Sequence, residues 1–274
     1  MNIIVTGSDG FIGGHLCERL NKEGHHVLSL DKKSGCDLAS DPYLSRKIGL
    51  FNPDIIHHLA ATCSTSNSLV NPSVDFRDNV ISAFNLIEGN RTRNIPVILT
   101  STCKVEPGDD GAKTPYGLTK RMAEEIVEEY AASYGLKYII NRPGTIYGPG
   151  QQGSPESGWL GWFMQAKKED KEVTIFGDGE QVRDPLYVDD YVDLLLDQTK
   201  RFELYQGRTY KVGGEEAVSL LETVGLLDLK HKFGEKRKGD AMVYVSDNKD
   251  ISRVGGWKPK TKLKDGIKLT MEAL

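Results

Sequence analysis

The sequence predicts an α/β protein built on a doubly wound parallel sheet, and three observations predict it. Short apolar runs alternate with helical patterns through residues 1–141. A glycine-rich turn joins the first apolar run to the first helical pattern. The chain has 274 residues, of which 38% are hydrophobic and 27% are charged, as in ordinary globular domains. Strands that alternate with helices need crossover connections, which produce a parallel sheet covered by helices on both faces.

The strands are predicted from short apolar runs between turn residues, a pattern typical of strands buried in a parallel sheet. In chain order they are Asn2–Thr6, His26–Leu30, a short strand near residues 36–38, Asp54–Leu59, Pro96–Ser101 and Leu136–Asn141. The helices are predicted from apolar positions three and four residues apart. In chain order they are Phe11–Lys22, Tyr43–Leu50, Asn71–Asn90, Pro115–Tyr134, Trp159–Glu169, Val188–Lys200 and Leu263–Ala273.

The regular alternation ends near residue 145. The stretch Gly148–Gly161 contains five glycines and two prolines, which predicts a long loop. Short mixed elements follow it. We therefore expect a doubly wound domain of residues 1–145, joined by residues 180–200, and a smaller, discontinuous mixed α/β domain within residues 146–274.

The glycine-rich turn has the spacing of a dinucleotide site. Gly7 permits the sharp bend after the first strand, Gly10 lets the backbone approach a pyrophosphate, and Gly13 lets the helix pack closely. Free N–H groups at the start of the helix attract phosphate. Asp31 ends the second strand, where a carboxylate binds ribose hydroxyls and repels a 2′-phosphate. This favours NAD over NADP, although the neighbouring Lys32-Lys33 pair is compatible with a 2′-phosphate.

Tyr116 and Lys120 are four residues apart at the start of a predicted helix, so they share one face. A lysine ammonium and a positive nicotinamide both lower the pKa of a nearby phenol. The phenolate can then take a proton from a hydroxyl group of the substrate. Ser101 and Thr102 end a predicted strand, where open α/β sheets bind ligands, and a hydroxyl there can hold the reacting oxygen.

These motifs together resemble those of the extended short-chain dehydrogenase/reductases, the family of nucleotide-sugar epimerases and dehydratases. Further segments match the family's motifs: Asp37-Leu38, His58-Leu59-Ala60-Ala61, Arg142–Pro149, Val182-Arg183-Asp184 with Val188-Asp189-Asp190, Arg237-Lys238-Gly239-Asp240 and Gly256-Trp257-Lys258-Pro259. The resemblance implies a Rossmann-type fold, bound NAD, a nucleotide-diphosphate sugar as substrate and a homodimer formed through helices near residues 74–90 and 115–134.

The resemblance also implies the roles of individual residues. Thr102, Tyr116 and Lys120 correspond to the catalytic set. The implied cofactor contacts are Gly7, Gly10, Phe11, Ile12, Gly13, Asp31, Asp37, Leu38, Leu59, Ala60, Ala61, Asn79, Thr100, Tyr116, Lys120 and Pro143. The implied substrate contacts are Thr102, Thr145, Trp159, Arg183 and Arg237. Two of these are arginines, whose guanidinium forks match phosphate oxygens.

Two segments distinguish this chain within the family. Cys103-Lys104 replaces the Asp-Glu or Asp-Lys of dehydratases, which argues against dehydration because that reaction needs an acid to expel a hydroxyl group. Both residues are further catalytic candidates. Ser101-Thr102-Cys103-Lys104-Val105 and Gly158–Phe163 are similar to segments of CDP-tyvelose (CDP-paratose) 2-epimerases. The loop between Thr102 and Tyr116 is shorter than is usual in the family, and Glu106-Pro107 replaces its usual Tyr-Gly.

The leading hypothesis is an NAD-dependent nucleotide-sugar epimerase. Such an enzyme oxidises a sugar hydroxyl to a transient ketone and returns the hydride to the other face, at C4 or C2. The alternatives are a 4,6-dehydratase, a keto-sugar reductase that releases its cofactor each turn, and a non-catalytic NAD-binding regulator. The intact set of Thr102, Tyr116 and Lys120 argues against the regulator.

Composition restricts the binding partners and the cellular location that we expect for the chain. The net charge of −4 gives no reason to expect nucleic-acid binding, and no apolar run is long enough to span a membrane. The chain begins directly on a strand-like run without a basic leader. The four cysteines form neither a C-x-x-C pair nor a zinc spacing, so we expect no metal and reduced thiols in a cytoplasmic protein.

Overall fold

The computed structural model describes residues 1–155, 157–237 and 239–274. Its strands are β1 Asn2–Thr6, β2 His26–Leu30, β3 Ile55–His58, β4 Val97–Thr100, β5 Tyr138–Pro143, β6 Ile146–Tyr147, β7 Val173–Phe176, β8 Val182–Arg183, β9 Leu186–Tyr187, β10 Arg208–Val212, β11 Val218–Ser219, β12 His231–Gly234 and β13 Val243–Tyr244. Its α-helices are α1 Phe11–Lys22, α2 Leu44–Phe51, α3 Thr65–Val70, α4 Pro72–Asp75, α5 Ser82–Asn90, α6 Pro115–Tyr134, α7 Trp159–Lys168, α8 Val188–Lys200, α9 Phe202–Tyr205, α10 Leu220–Leu227, α11 Lys249–Gly255 and α12 Leu263–Ala273. Among the described residues, no helix is both long and apolar enough to cross a membrane.

The main sheet has six parallel strands in the order β10-β5-β4-β3-β1-β2. Successive side chains of its strands enter different cores, since neighbouring residues point to opposite faces of a sheet. Ile3 and Val5 pack in the core that includes α1 and α8, whereas Ile4 packs with α2, α5 and α6. Helices therefore cover both faces, which confirms the predicted doubly wound fold.

Several elements begin and end where the sequence predicts. α1, α6, α8 and α12 have their predicted bounds, as do β1 and β2. In α6 the local reasons are visible. Pro115 occupies the first helical position, the hydroxyl of Thr114 accepts a hydrogen bond from the Gly117 N–H, and Gly135 ends the helix in a left-handed conformation.

Two predicted elements were wrong. Residues 36–38, all described, form part of a loop rather than a strand, although Cys36 and Leu38 are buried in the core. The strand that ends before Thr102 is consequently the fourth, not the fifth. The long helix predicted over 71–90 is divided: Pro72 begins α4, and a π-helical segment, Phe76–Ile81, joins α4 to α5.

The C-terminal part of the chain forms smaller sheets around a core of its own. β11, β8 and β13 form one sheet, β12 pairs with β7, and β6 pairs with β9. Tyr147, Phe163 and Met164 pack in this third core with residues of α10 and α12. The segments after β4 and β5 start at the carboxyl ends of these strands, where open α/β sheets bind ligands. They face the smaller C-terminal part of the chain.

Candidate active site

The turn after β1 is closed by direct backbone contact. Gly7 has a φ of +70°, and a Cβ added to it would lie 2.7 Å from the amide nitrogen of Ala60. A Cβ on Gly13 would lie 2.1 Å from the carbonyl oxygen of Gly7. Gly10 precedes α1, whose first N–H groups have no side-chain cap. The turn therefore holds the start of α1 against the carboxyl ends of β1 and β3, with amide hydrogens available to an anion.

Asp31 braces this turn. Its two carboxylate oxygens accept hydrogen bonds from the backbone N–H of Asp9 at 3.1 Å and of Lys33 at 2.8 Å. The Lys32 ammonium lies 3.3 Å from a carboxylate oxygen of Asp78, and the Lys33 ammonium lies 3.3 Å from the carbonyl oxygen of Asp9. Both lysines thus have partners within the chain, and Asp31 and Lys33 both contact the turn at Asp9.

A pocket of about 440 Å³ runs from the turn to the C-terminal part of the chain. The predicted cofactor residues that line it are Gly7, Gly10, Phe11, Ile12, Gly13, Leu59, Ala61, Thr100, Tyr116, Lys120 and Pro143. All five predicted substrate residues line it as well: Thr102, Thr145, Trp159, Arg183 and Arg237. Residues from eight separate stretches of the chain therefore meet in one cavity.

Five predicted cofactor residues are not part of the pocket lining: Asp31, Asp37, Leu38, Ala60 and Asn79. Asp37 pairs with Arg77, and Leu38 is buried in the core between α2 and α5. The Ala60 N–H donates to the Thr6 hydroxyl. The buried Asn79 amide accepts from the Thr62 N–H at 2.8 Å and donates to Thr119 at 3.0 Å.

Thr102, Tyr116 and Lys120 come together at the end of β4. Thr102 lies just past the strand, and all three side chains are buried. The Lys120 ammonium donates a hydrogen bond of 2.8 Å to the carbonyl oxygen of Thr100. This contact holds the first turns of α6 against the carboxyl end of β4 and brings the phenol of Tyr116 to the pocket.

Burial dominates the protonation of this pair. It raises the pKa of the Tyr116 phenol well above its usual range, against a lowering by a hydrogen bond with Thr102. It lowers the pKa of Lys120 to about 8, against an opposing effect of Glu124. We predicted that Lys120 would lower the pKa of Tyr116. In the chain alone, burial has the larger effect and acts in the other direction, because it disfavours the phenolate.

Cys103 and Lys104 lie on the 3₁₀ turn Cys103–Val105 that follows β4. Burial raises the pKa of the Cys103 thiol, so it remains protonated at neutral pH. The Lys104 ammonium lies 3.2 Å from a carboxylate oxygen of Asp240 and 4.6 Å from the centre of the Tyr244 ring. Both residues line the pocket beside Thr102.

Arg183 shares these two partners. Its guanidinium lies 2.7 Å from the same Asp240 oxygen and 5.1 Å from the centre of the Tyr244 ring. Arg237 lies 3.7 Å above the ring of Phe176 and donates to the carbonyl oxygen of Pro155. Two guanidinium groups therefore line the end of the pocket away from the glycine turn, held by aromatic faces and hydrogen bonds.

Comparison with known proteins decides the family. A model of the NAD dependent epimerase/dehydratase family matches residues 3–213. The chain is 28% identical to CDP-paratose 2-epimerase from Salmonella typhi, over 97% of each sequence. It superposes with a TM-score of 0.90 on the crystal structure of UDP-glucose 4-epimerase with UDP-glucose from Thermotoga maritima, at 30% identity, covering 100% of this chain and 98% of that one. It superposes with a TM-score of 0.87 on the UDP-glucose 4-epimerase of Thermus thermophilus in complex with NAD, at 26% identity and the same coverage.

The chain belongs to the NAD-dependent epimerase/dehydratase family. NAD is the cofactor of this family, and the structure fits it. A Cβ on Gly7 or Gly13 would overlap backbone atoms that shape the turn, and residues at the start of α1 line the pocket. Asp31, the carboxylate predicted to bind the ribose, lies next to the turn that it braces. Among the described residues no cluster of histidine, cysteine and carboxylate groups forms a metal site.

Sequence reasoning missed several pocket residues of this epimerase/dehydratase. Cys63, Phe176 and Tyr244 line the pocket, and neither spacing nor periodicity marks them. It also missed Glu124, whose signal was present: it lies four residues past Lys120 and hence on the same helix face. Lys238, in the predicted Arg237–Asp240 motif, lies outside the described residues. His57 and His58 are buried at the end of β3.

Proposed function

We propose that this chain is an NAD-dependent epimerase of nucleotide-diphosphate sugars, acting at C4 or C2 of the sugar ring. One observation carries the proposal. Thr102, Tyr116 and Lys120 line a single pocket whose two ends are the glycine turn and the guanidinium pair Arg183 and Arg237. This arrangement suits two ligands that each carry a pyrophosphate, with their reacting carbons meeting between them.

The proposed roles of the chain's own groups follow from their positions. Tyr116 takes the proton from the sugar hydroxyl and later returns it. Thr102 binds the reacting oxygen, and Lys120 anchors α6 at the end of β4 and supplies positive charge. When bound, NAD⁺ would supply a reversible hydride acceptor for the sugar carbon, and its positive ring would lower the pKa of the nearby phenol.

The substrate is held at its diphosphate. Arg183 and Arg237 present guanidinium groups whose forked N–H donors match phosphate oxygens. Such remote contacts leave the sugar ring free to turn, which an epimerase needs because hydride must return to the opposite face. The Trp159 indole donates to the Thr145 hydroxyl at 3.2 Å, and we propose that both contact the sugar nucleotide.

The remaining cofactor residues are assigned by the same reasoning. We propose that Asp37, Leu38, Ala60 and Asn79 shape the cofactor site from behind its lining. Cys103 and Lys104 remain proposed contributors to the chemistry, with Cys103 as a proton donor, because its thiol is protonated and close to Thr102.

The test is the cofactor that the purified protein carries. The protein is denatured, and the released nucleotide is identified by chromatography. We expect stoichiometric NAD, since an epimerase uses the same cofactor molecule for oxidation and reduction. UDP-, CDP-, dTDP- and GDP-sugars are then screened, and NMR of the product identifies the inverted carbon. A net gain or loss of NAD(P)H in each turnover would instead indicate a reductase, and a 4-keto-6-deoxy product would indicate a dehydratase.

We also propose the domain division stated above: residues 1–145 with 180–200 bind NAD, and the remainder of 146–274 binds the nucleotide sugar. β10 joins the main sheet from outside those ranges, so the first domain extends to it as well. A cytoplasmic location is proposed on the four free thiols of the chain.

We propose a homodimer formed through α5 and α6. The outer faces of these helices and of the segment before α5 expose large apolar side chains: Val74, Phe76, Phe84, Leu118 and Tyr134. Exposed apolar patches of this kind are typical of interfaces. Light scattering is expected to give twice the mass of the chain, and Phe84→Glu is expected to give a monomer. A monomeric wild-type protein would contradict the proposal.

A further inference from the structure

The helix that carries Tyr116 and Lys120 meets the end of β4 through three successive turns. Tyr116 faces Thr102 in the pocket. One turn later, Lys120 donates to the carbonyl oxygen of Thr100. A further turn on, the Glu124 carboxylate accepts a hydrogen bond of 2.5 Å from the Ser101 hydroxyl. Three residues spaced by four along α6 thus meet three consecutive residues, Thr100–Thr102, at and just past the end of the strand.

Glu124 is the most completely buried of these groups, with no exposed surface. Arg142 on β5 binds both of its oxygens, with Nε–Oε1 and Nη2–Oε2 distances of 2.8 and 2.6 Å. Arg121 adds a contact of 3.0 Å. A buried ion cluster is a poor source of stability, because desolvation of the charges offsets their attraction. Apolar replacement of such a pair is often neutral for stability, so stability alone does not explain the cluster.

We propose that Glu124 is a positioning residue for the reaction. Because Arg142 and Ser101 bind its carboxylate, Glu124 fixes the position of α6 relative to the carboxyl end of β4. It thereby places the Tyr116 phenol and the Lys120 ammonium. The inference rests on the proposed function, in which those two groups act together. It adds a residue outside the pocket lining, which acts through Lys120 and Tyr116 rather than by touching the substrate.

The charge of Glu124 acts on Lys120 as well. The groups that face this ammonium are Glu124 on its own helix, His58 at the end of β3, Cys63 beyond it, and the Thr100 carbonyl on β4. His58 is neutral, since burial lowers its pKa to about 3. Glu124 and Cys63 raise the pKa of Lys120 against the effect of burial. Loss of the carboxylate is therefore expected to make Lys120 release its proton at lower pH.

The test replaces both members of the pair, so that no charge is left without its partner. The variant Glu124→Met/Arg142→Met is expected to unfold near the wild-type temperature. Its kcat is expected to fall at least tenfold, whereas its KM is expected to change less than threefold. The alkaline limb of its pH–activity profile is expected to move to lower pH. A second measurement needs no substrate. The Lys120 ammonium is titrated by NMR, with its signal assigned from the Lys120→Met variant. In the paired variant its titration midpoint is expected to lie at lower pH than in the wild type.

A paired variant with wild-type kcat and an unchanged Lys120 midpoint would overturn the proposal and leave the cluster a purely structural element. Should the paired variant fail to fold, Glu124→Gln keeps the side-chain length and is judged by the same two readouts.

The control is Gln198→Leu, which breaks the buried Asn141–Gln198 pair on the other face of β5. It is expected to lower the unfolding temperature and leave the Lys120 midpoint in place. If the wild-type protein epimerises no nucleotide sugar, the proposed function fails, but the titration still tests Glu124.

Discussion

Gly13 lies directly against Gly7. A Cβ on Gly13 would stand 2.1 Å from the carbonyl oxygen of Gly7, a separation that non-bonded atoms do not reach. The next residue, Gly14, has open space, since its added Cβ would be 4.0 Å from the nearest atom. Of these two adjacent glycines of one helix, only Gly13 is required to be glycine by its contacts, because only Gly13 closes the turn.

The pair provides a matched test of the turn. Gly13→Ala is expected to destabilise the fold by about 1–3 kcal/mol through overpacking and to remove bound NAD. Gly14→Ala is expected to stabilise it by about 0.5–1 kcal/mol, because alanine loses less conformational entropy in a helix. Thermal unfolding and cofactor content after purification measure both effects. Retention of NAD by Gly13→Ala would contradict the close approach of α1 to the turn.

Tyr116→Phe is expected to lower kcat by about 10²–10⁴, because it removes the group that takes the proton. NAD content is expected to stay at the wild-type level, since the substitution removes no phosphate contact. Tyr134→Phe, on an exposed turn of the same helix, is the control and is expected to be fully active. Loss of NAD from Tyr116→Phe would mean that the phenol holds the cofactor instead.

Asp31→Ala is expected to weaken NAD binding about 10- to 100-fold. It removes the acceptor proposed for the ribose and leaves the Asp9 N–H without its partner, a loss of about 1–3 kcal/mol. Calorimetric titration of protein stripped of NAD measures the affinity. Asp54→Ala is the control, because Asp54 likewise accepts from a backbone N–H, that of Asn2, at the opposite end of the sheet. An unchanged affinity in Asp31→Ala would place the ribose elsewhere.

Arg183→Ala is expected to raise KM for the nucleotide sugar by about 10- to 100-fold, the range for a lost charged hydrogen bond, with a small effect on kcat. The control is Arg253→Ala, which removes an exposed arginine paired with Asp250. Initial rates over a range of substrate concentrations separate the two parameters. If kcat falls and KM stays constant, Arg183 belongs to the chemistry and not to the diphosphate clamp.

Stability is expected to fall on acidification below about pH 6.5. Burial lowers the pKa of His57 and His58 to about 3, so the unfolded chain binds more protons than the folded one between those values. Each histidine then contributes a slope of about 1.4 kcal/mol per pH unit. His57→Gln, which can keep the hydrogen bond to Thr199, is expected to reduce the slope by one proton. Urea unfolding between pH 4 and pH 7 measures it, and an unchanged slope would mean that His57 is protonated in the folded chain.

The sequence alone determined the features that depend on local geometry. The bounds of α6 follow from Thr114, Pro115 and Gly135, which cap, start and end a helix by their own backbone preferences. The glycine turn and the positions of Tyr116 and Lys120 are local in the same sense, because helix period alone puts residues four apart on one face. The doubly wound fold followed from the alternation of strands and helices.

The tertiary structure decided what depends on residues distant in the chain. Cys36 and Leu38 have the apolar pattern of a strand, yet they reach the core from a loop. Lys104 meets Asp240, 136 positions away, and Glu124 is fixed by Ser101, just past β4, and by Arg142 on β5. Backbone preferences act over a few residues, whereas the pairing of buried charges and the direction of a pKa shift depend on which elements pack together. Sequence patterns therefore predicted which residues act in the site, and only packing showed which contacts hold them in place.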